Sequence, residues 1–214
     1  MGNVTTWVAQ RLAEGGGRLT VVDRTPEDFL VIESEDDYTF LVAALGVKKI
    51  VQLSNVQPLF AAPTKPELVV NVPSKTLWSG AAIDFVHSIP AAFGTMGDIA
   101  RAAETKAAAF FRDKNMGFFI NALEQDTNVS TVSYVYDSVL RVDRWNGTSI
   151  TVAVIEAYNM SAEDVRNAKM RIGHFDVVVK SSSYGSITEQ AEAAAQSMGA
   201  QALTFGGLMK RLAR

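Results

Sequence analysis

The chain contains no cysteine, and its 214 residues include only two histidines. The absence of cysteine excludes disulfide bonds, thiolate catalysis and cysteine-ligated zinc, and it is typical of proteins from a reducing compartment. His87 and His174 lie far apart in the sequence, and neither belongs to a His/Asp/Glu group with the spacing of a zinc site. We therefore expect a cytoplasmic protein.

Several other signatures are also missing. No apolar run reaches the ~18 residues that a membrane-spanning helix needs, and the start of the chain lacks the basic and apolar regions of a secretion signal. The glycines at 15–17 are not followed by the Lys-Ser/Thr of a phosphate-binding loop. The dinucleotide fingerprint and the Gly-x-Ser-x-Gly elbow are absent as well. The sequence thus predicts no membrane partner and no nucleotide or redox cofactor.

The composition is that of a globular protein with a substantial core. Hydrophobic residues make up 48% of the chain and charged residues 20%. The net charge of −3 gives the whole molecule no field that would attract a polyanion. Binding to nucleic acid would therefore depend on a local site.

The first part of the chain has the pattern of a small α/β unit. Apolar periodicity predicts a helix over 5–14, strands over 19–23 and 29–33, a helix over 36–45 and a strand over 49–53. The stretch 54–66 contains three prolines and predicts a connection. We expect a small N-terminal unit of residues 1–75 and a larger core of residues 76–214, or one continuous domain.

The second part predicts a longer alternation of elements, with no internal repeat visible. A long helical region runs from about 98 to 125, strands over 128–142 and 149–158 flank the hairpin signal Asn146-Gly147, and helix 162–172, strand 175–180, helix 187–198, strand 200–205 and helix 207–214 follow. A hairpin followed by crossover units favours an α/β fold with a mixed β-sheet flanked by helices.

Two acidic residues on the predicted hairpin form the first candidate site. Asp143 lies at the end of one strand and Glu156 near the end of the next. Neighbouring strands that bring two carboxylates together can hold Mg²⁺, which prefers hard oxygen ligands. A bound ion could then polarise a phosphodiester and activate a water molecule.

This arrangement resembles the restriction-endonuclease-like nucleases, the PD-(D/E)xK superfamily, over residues 100–214. That family has a helix, a β-hairpin that carries an Asp and an acidic-x-Lys tripeptide, then a helix and a further strand. The resemblance implies a restriction-endonuclease-like core in the C-terminal half, with Asp143 and Glu156 as metal ligands and catalytic acids. Tyr158 stands where the family has its catalytic Lys, and Lys180 could supply a migrated ammonium.

The polar stretch 181–186 forms the second candidate site. It lies between a predicted strand and a predicted helix, where backbone N–H groups and hydroxyls suit a phosphate or another anion. The best-placed residues are Ser183, Tyr184, Gly185 and Ser186. Helix capping explains the same residues equally simply.

Three functions follow from these patterns. The first is a nucleic-acid-associated protein with a nuclease-like core, either active in Mg²⁺-dependent phosphodiester hydrolysis or catalytically degenerate. The second is a non-catalytic assembly subunit of a homo- or hetero-oligomer, suggested by the apolar residues Phe110, Phe111, Phe118 and Phe119 and the Leu208-Met209 tail. The third is a small-anion or nucleotide sensor that uses the serine-rich turn.

Overall fold

The computed structural model describes residues 3–213, which divide into two compact units. The first unit ends at Asp113 and the second begins at Lys114. Each unit contains its own five-stranded mixed sheet with helices packed against it. The predicted class, α/β with mixed sheets flanked by helices, is confirmed.

The first unit begins with a helix and a three-stranded meander. Its elements are α1 (Val4–Glu14), β1 (Leu19–Arg24), β2 (Leu30–Ser34), β3 (Thr39–Leu45), β4 (Ile50–Val51), α2 (Leu53–Val56), β5 (Leu68–Asn71), β6 (Leu77–Trp78), α3 (Gly80–Ser88), β7 (Ala92–Thr95) and α4 (Asp98–Glu104). The main sheet has the order β1-β2-β3-β5-β7. The first three strands are antiparallel, and β3, β5 and β7 are parallel.

The second unit follows the same plan. Its elements are α5 (Lys114–Glu124), β8 (Val129–Tyr136), β9 (Val139–Arg144), β10 (Ser149–Ile155), α6 (Ala162–Ile172), β11 (Val177–Lys180), α7 (Glu189–Ser197), β12 (Gln201–Thr204) and α8 (Phe205–Leu212). The sheet order is β12-β11-β10-β9-β8, with the meander antiparallel and the last three strands parallel. One face of the sheet packs against α6 and α7, and the other packs against α5 and α8.

The two units repeat one another strand by strand. Leu30 pairs with Val42 in the first sheet, and Leu140 pairs with Val152 in the second. The strands β3 and β10 have the same pattern of burial along their seven residues. The expectation of no internal repeat is therefore wrong at the level of structure. The repeat escapes inspection of the sequence because it preserves burial and register rather than residue identity.

The division between the units differs from the predicted boundary near residue 75. Strand β7 pairs with β5 in the first sheet. Helix α4 packs its buried residues, Ile99 among them, into the core beneath that sheet. Residues 76–113 therefore belong with the N-terminal part of the chain.

Two predicted helices are wrong. The segment predicted as a helix over 36–45 is strand β3, because Asp37 adopts a positive φ of 59° in the preceding turn and the strand then pairs with both β2 and β5. The long helical region from about 98 to 125 is two helices, since α4 ends before Lys106, whose φ is 51°. In both segments a backbone turn, rather than the helical spacing of the apolar residues, determines the structure.

The hairpin predicted at Asn146-Gly147 is confirmed. Gly147 has a φ of 82°, which an L side chain rarely adopts. The Asn146 side chain accepts hydrogen bonds from the Thr148 backbone N–H and hydroxyl. This turn joins β9 to β10 and fixes their register.

Candidate functional site

The hairpin does not bring Asp143 and Glu156 together, so the geometric expectation behind the shared metal site is wrong. Asp143 pairs with Ser149 at the start of β10, whereas Glu156 follows the last residue of that strand. At ~3.3 Å per strand residue, the two positions lie roughly 20 Å apart along β10. In an antiparallel hairpin the two residues next to the turn face each other, and Glu156 lies at the other end.

Asp143 instead belongs to a hydrogen-bonded cluster beside the turn. Its carboxylate accepts hydrogen bonds from the Ser149 hydroxyl, from Arg141 Nε at 2.9 Å and from the Thr131 hydroxyl at 3.1 Å. The hydrogen bond from Ser149, followed by that from Arg141, lowers the pKa of Asp143. The carboxylate therefore connects the exposed side chains of three neighbouring strands.

Glu156 lines a cleft of about 350 Å³ at the carboxyl end of β10. The floor is apolar and includes Ala153 and Ile155, and one wall is helix α6. Ser138 lies on the rim, and its carbonyl accepts a 2.8 Å hydrogen bond from the Val154 N–H. The β8–β9 turn, which also contains Asp137, is therefore at the same end of the sheet as Glu156.

Helix α6 contributes polar side chains to the same cleft. Asp164, Asn167 and Arg171 lie on successive turns of the helix and all line it. A capping box fixes the start of the helix, because Ser161 and Asp164 exchange side-chain and backbone hydrogen bonds. The cleft thus combines two carboxylates, one amide and one guanidinium above an apolar floor.

Lys180 lies beneath the loops at this edge of the sheet. The side chain is buried, and Lys180 pairs with Ile155 in the parallel register of β10 and β11. Its ammonium donates hydrogen bonds to the carbonyl oxygens of Ser182 and Tyr184. The ammonium proposed as a migrated catalytic group therefore holds the serine-rich turn in place.

The serine-rich turn does not lie at the helix N-terminus at which the anion site was predicted. Helix α7 begins at Glu189 after its cap Thr188, so residues 183–186 precede the helix. The Tyr184 N–H donates to the Ser182 hydroxyl at 3.1 Å, and the Ser186 N–H donates to the Asn159 side chain at 2.9 Å. One of these backbone donors is bonded within the turn and the other to the loop after β10.

The turn packs closely against the loop that follows β10. Gly185 has a φ of 76°, and a Cβ at this position would lie 1.9 Å from the Tyr158 carbonyl oxygen. Both loops present an aromatic ring to solvent, since Tyr158 is 69% exposed and Tyr184 is 74% exposed. The carboxyl edge of β10 and β11 therefore carries two exposed tyrosines.

Sequence reasoning missed four polar residues of the cleft: Ser138, Asp164, Asn167 and Arg171. The spacing of Asp164, Asn167 and Arg171 puts them on one face of the predicted helix 162–172. This spacing is a sequence signal from which the polar face could have been predicted. The position of these residues opposite Glu156 depends on how α6 crosses the sheet, which local spacing does not specify.

No family model, curated protein or solved structure matches the chain. Between residues 3 and 213, no helix is long and apolar enough to cross a membrane. The same described residues contain no group of three or more His, Asp or Glu side chains that could hold a metal ion.

Proposed function

We propose that the protein associates with nucleic acid and that the cleft at the carboxyl end of β10 is its phosphodiester-binding site. The observation that carries the proposal is the grouping of Arg171 and Glu156 in one cleft, at the edge of the sheet whose loops also carry the exposed rings of Tyr158 and Tyr184. Further support is the order of α5, the β9–β10 hairpin, α6 and β11 in the second unit, which, apart from the additional strand β8, is the order described above for the nuclease family.

Each of these side chains suits a different part of a nucleic-acid strand. The guanidinium of Arg171 matches the geometry of a phosphate oxygen pair. Exposed aromatic rings stack on unpaired bases, which favours single-stranded nucleic acid over duplex. The two tyrosines belong to loops that the Asn159–Ser186 hydrogen bond ties together, so both rings are held at one edge of the sheet.

The residues at this edge also suit a hydrated Mg²⁺ ion. Mg²⁺ is commonly bound through one or two carboxylates, with water and substrate phosphates as its other ligands. Glu156, an exposed carboxylate that lines the cleft, would hold the ion. The ion would supply Lewis acidity for phosphodiester hydrolysis.

Binding is tested by fluorescence anisotropy with labelled single-stranded and duplex oligonucleotides. We expect the single strand to bind more tightly, and we expect Tyr158→Ala or Tyr184→Ala to weaken binding at least about fivefold, since each base stack contributes roughly 1–3 kcal/mol. Trp145→Ala is the matched control, because Trp145 is also 74% exposed but lies at the hairpin turn. Absence of binding, or equal losses in all three variants, would overturn the proposal.

Catalysis is tested by nicking of supercoiled plasmid with Mg²⁺ or Mn²⁺. We expect Glu156→Gln to abolish metal-dependent nicking and Asp143→Asn to leave it unchanged, because the two residues lie at opposite ends of the hairpin. Loss in Asp143→Asn alone would contradict the assignment to the cleft. Binding without nicking would identify a catalytically degenerate core.

A second candidate function, an assembly subunit, is favoured by an aromatic surface on α5 and α8. Phe118 is 67% exposed and its ring lies 5.9 Å from that of Phe205, which also contacts the buried Phe119. Phe111 and Leu208, which we expected at such a surface, are buried in the cores of their units. Contiguous exposed aromatic surface is typical of protein–protein contacts.

This candidate is tested by light scattering of the protein and of Phe118→Ser. We expect the variant to reduce the mass of any assembly that uses the aromatic surface. Met170→Ser is the control, because Met170 is 78% exposed on helix α6 of the same unit. An unchanged mass in Phe118→Ser would exclude this surface as a contact between copies of the chain.

A further inference from the structure

Strand β8 forms an edge of the second sheet that contains no charged residue. It is the last strand in the order β12-β11-β10-β9-β8, and its eight residues, VSTVSYVY, contain no charge, proline or glycine. An edge strand presents a row of N–H and C=O groups that can pair with another strand. Thr131 and Ser133 are exposed, and Val135 is 37% exposed, so one face of the strand is also accessible.

The other edges of the two main sheets carry the features that usually prevent such pairing. The equivalent edge in the first unit, β1, ends in Asp23 and Arg24, and Arg24 forms an ion pair with Asp28. Strands β7 and β12 are only four residues long. Short strands and charged edges limit edge-to-edge association. Strand β8 is longer than all three of these strands and, unlike β1, carries no charge.

We propose that two copies of the chain associate by antiparallel pairing of their β8 strands, about a two-fold axis at Ser133. In this register Ser133 faces its own copy, Val132 faces Tyr134, and Thr131 faces Val135. Cross-strand pairs of β-branched and aromatic residues stabilise a sheet. Because the strand is uncharged, self-pairing places no like charges opposite each other, which favours a second copy over a charged partner.

The register of β8 against β9 leaves a regular segment at the centre of the strand. The register shifts lie between Val129 and Thr131 and between Tyr134 and Tyr136, so the residues from Thr131 to Tyr134 remain in regular pairing. That segment contains the proposed axis. The dimer is closed, because a two-fold isologous contact uses the same edge in both copies and leaves no further β8 edge free.

The mass of the protein in solution tests the association, independently of the cleft. We expect sedimentation equilibrium to give a dimer, and we expect Ser133→Lys to give a monomer because two ammonium groups would then face each other across the axis. Val22→Lys, at an exposed position of β1, should remain a dimer. A wild-type monomer, an open-ended aggregate or a dimeric Ser133→Lys variant would overturn the proposal.

Disulfide cross-linking tests the register even if the lysine variant folds poorly. The chain has no cysteine of its own, so a single introduced cysteine can form a protein disulfide only with the same residue of a second copy. Directly opposed strand residues have Cα atoms about 4.5–5.5 Å apart, which suits a disulfide. Ser133→Cys should therefore cross-link, whereas Thr131→Cys should not, because its two copies would be separated by about 13 Å along the strands. Equal cross-linking of both variants, or of neither, would overturn the register.

Discussion

The two units share one order of strands and one register, but they anchor their loops with different residues. Strands β5 and β11 occupy equivalent positions in the two main sheets. Strand β5 ends at Asn71 and β11 ends at Lys180, and both side chains are buried. Asn71 hydrogen-bonds the N–H and carbonyl of Val47 and the carbonyl of Pro73. Lys180 bonds only carbonyls of the turn that follows it.

Because the anchors differ, the same order of strands leaves different loops available to bind a ligand in the two units. In the first unit Asn71 fixes the loop after β3 through Val47. In the second unit the loop after β10 is held instead by Asn159 at its contact with Ser186, and the residues before it, Glu156 to Tyr158, present side chains to solvent. The carboxyl edge of the second sheet is therefore the better placed of the two to bind a ligand.

The helix between the third and fourth strands of each main sheet also differs, and it too favours a binding site in the second unit. Both helices begin with a capping box, Gln52 with Asn55 in α2 and Ser161 with Asp164 in α6. Helix α2 has four residues, whereas α6 has 11 and continues to the turns that carry Asn167 and Arg171. Because α6 is long, its later turns form one wall of the cleft.

Removal of matched core side chains should have the largest effect. Leu30→Ala and Leu140→Ala each truncate a leucine that is at most 1% exposed in the middle of its sheet. We expect each to cost about 3 kcal/mol of unfolding free energy, from lost burial and the cavity left behind. Urea unfolding measures the cost. A loss under about 1 kcal/mol in only one variant would break the equivalence of the two positions.

Replacement of the two buried anchors should have the next largest effect. Asn71→Leu leaves buried backbone groups without partners and should cost about 3 kcal/mol. Lys180→Met should cost less, about 1–2 kcal/mol, because it also removes the desolvation penalty of a buried ammonium. Urea unfolding, with the exposed Lys210→Met as control, measures both. A larger loss for Lys180→Met than for Asn71→Leu would contradict the proposed roles of the two side chains.

A half-buried histidine should make the first unit sensitive to acid. Burial, with a smaller contribution from the charge of Arg112, lowers the pKa of His87 from 6.5 to about 4. The unfolded chain therefore binds a proton that the folded state does not, and the stability from neutral His87 is full above pH 6.5 and is lost as the pH falls toward 4.

The size of that effect follows from a matched substitution. The second unit has Gln196 at the equivalent position, so His87→Gln is the natural replacement. Between pH 7 and pH 4.5 we expect the wild type to lose roughly 1–2 kcal/mol more unfolding free energy than His87→Gln, a figure that allows for solvent screening of the half-buried ring. Chemical unfolding at both pH values measures the difference. An identical pH dependence of the two proteins would show that His87 titrates alike in the folded and unfolded chains.

The hairpin turns should give the smallest effects, with opposite signs. Asp37 and Gly147 occupy the same position in the two turns, with φ values of 59° and 82°. Gly147→Ala should lose about 1 kcal/mol through backbone strain alone, because nothing lies within 4 Å of the added Cβ. Asp37→Gly should change stability by less than that and in the favourable direction. Thermal unfolding measures both, and a stabilised Gly147→Ala would contradict the comparison.

The fold class and most elements of the second unit could be predicted from sequence, because local signals mark them. Asn146-Gly147 specifies a turn, and Ser161 begins α6 as its cap. The site could not be predicted in the same way. Asp143 lies three residues before the predicted turn and Glu156 nine residues after it, so the hairpin signal itself separates them. The cleft that Glu156 lines depends instead on how α6 crosses the sheet, which no local signal specifies. Asp37 shows the same limit, because its left-handed turn overrode a helical pattern.

Hydrogen exchange with and without a bound single-stranded oligonucleotide tests the location of the site most directly. We predict slowed exchange in the loop after β10, around Tyr158, in the turn at Tyr184 and in the helix α6. Protection confined to the β9–β10 turn beside Asp143, or to the first unit, would contradict the assignment of function to the carboxyl edge of the second sheet.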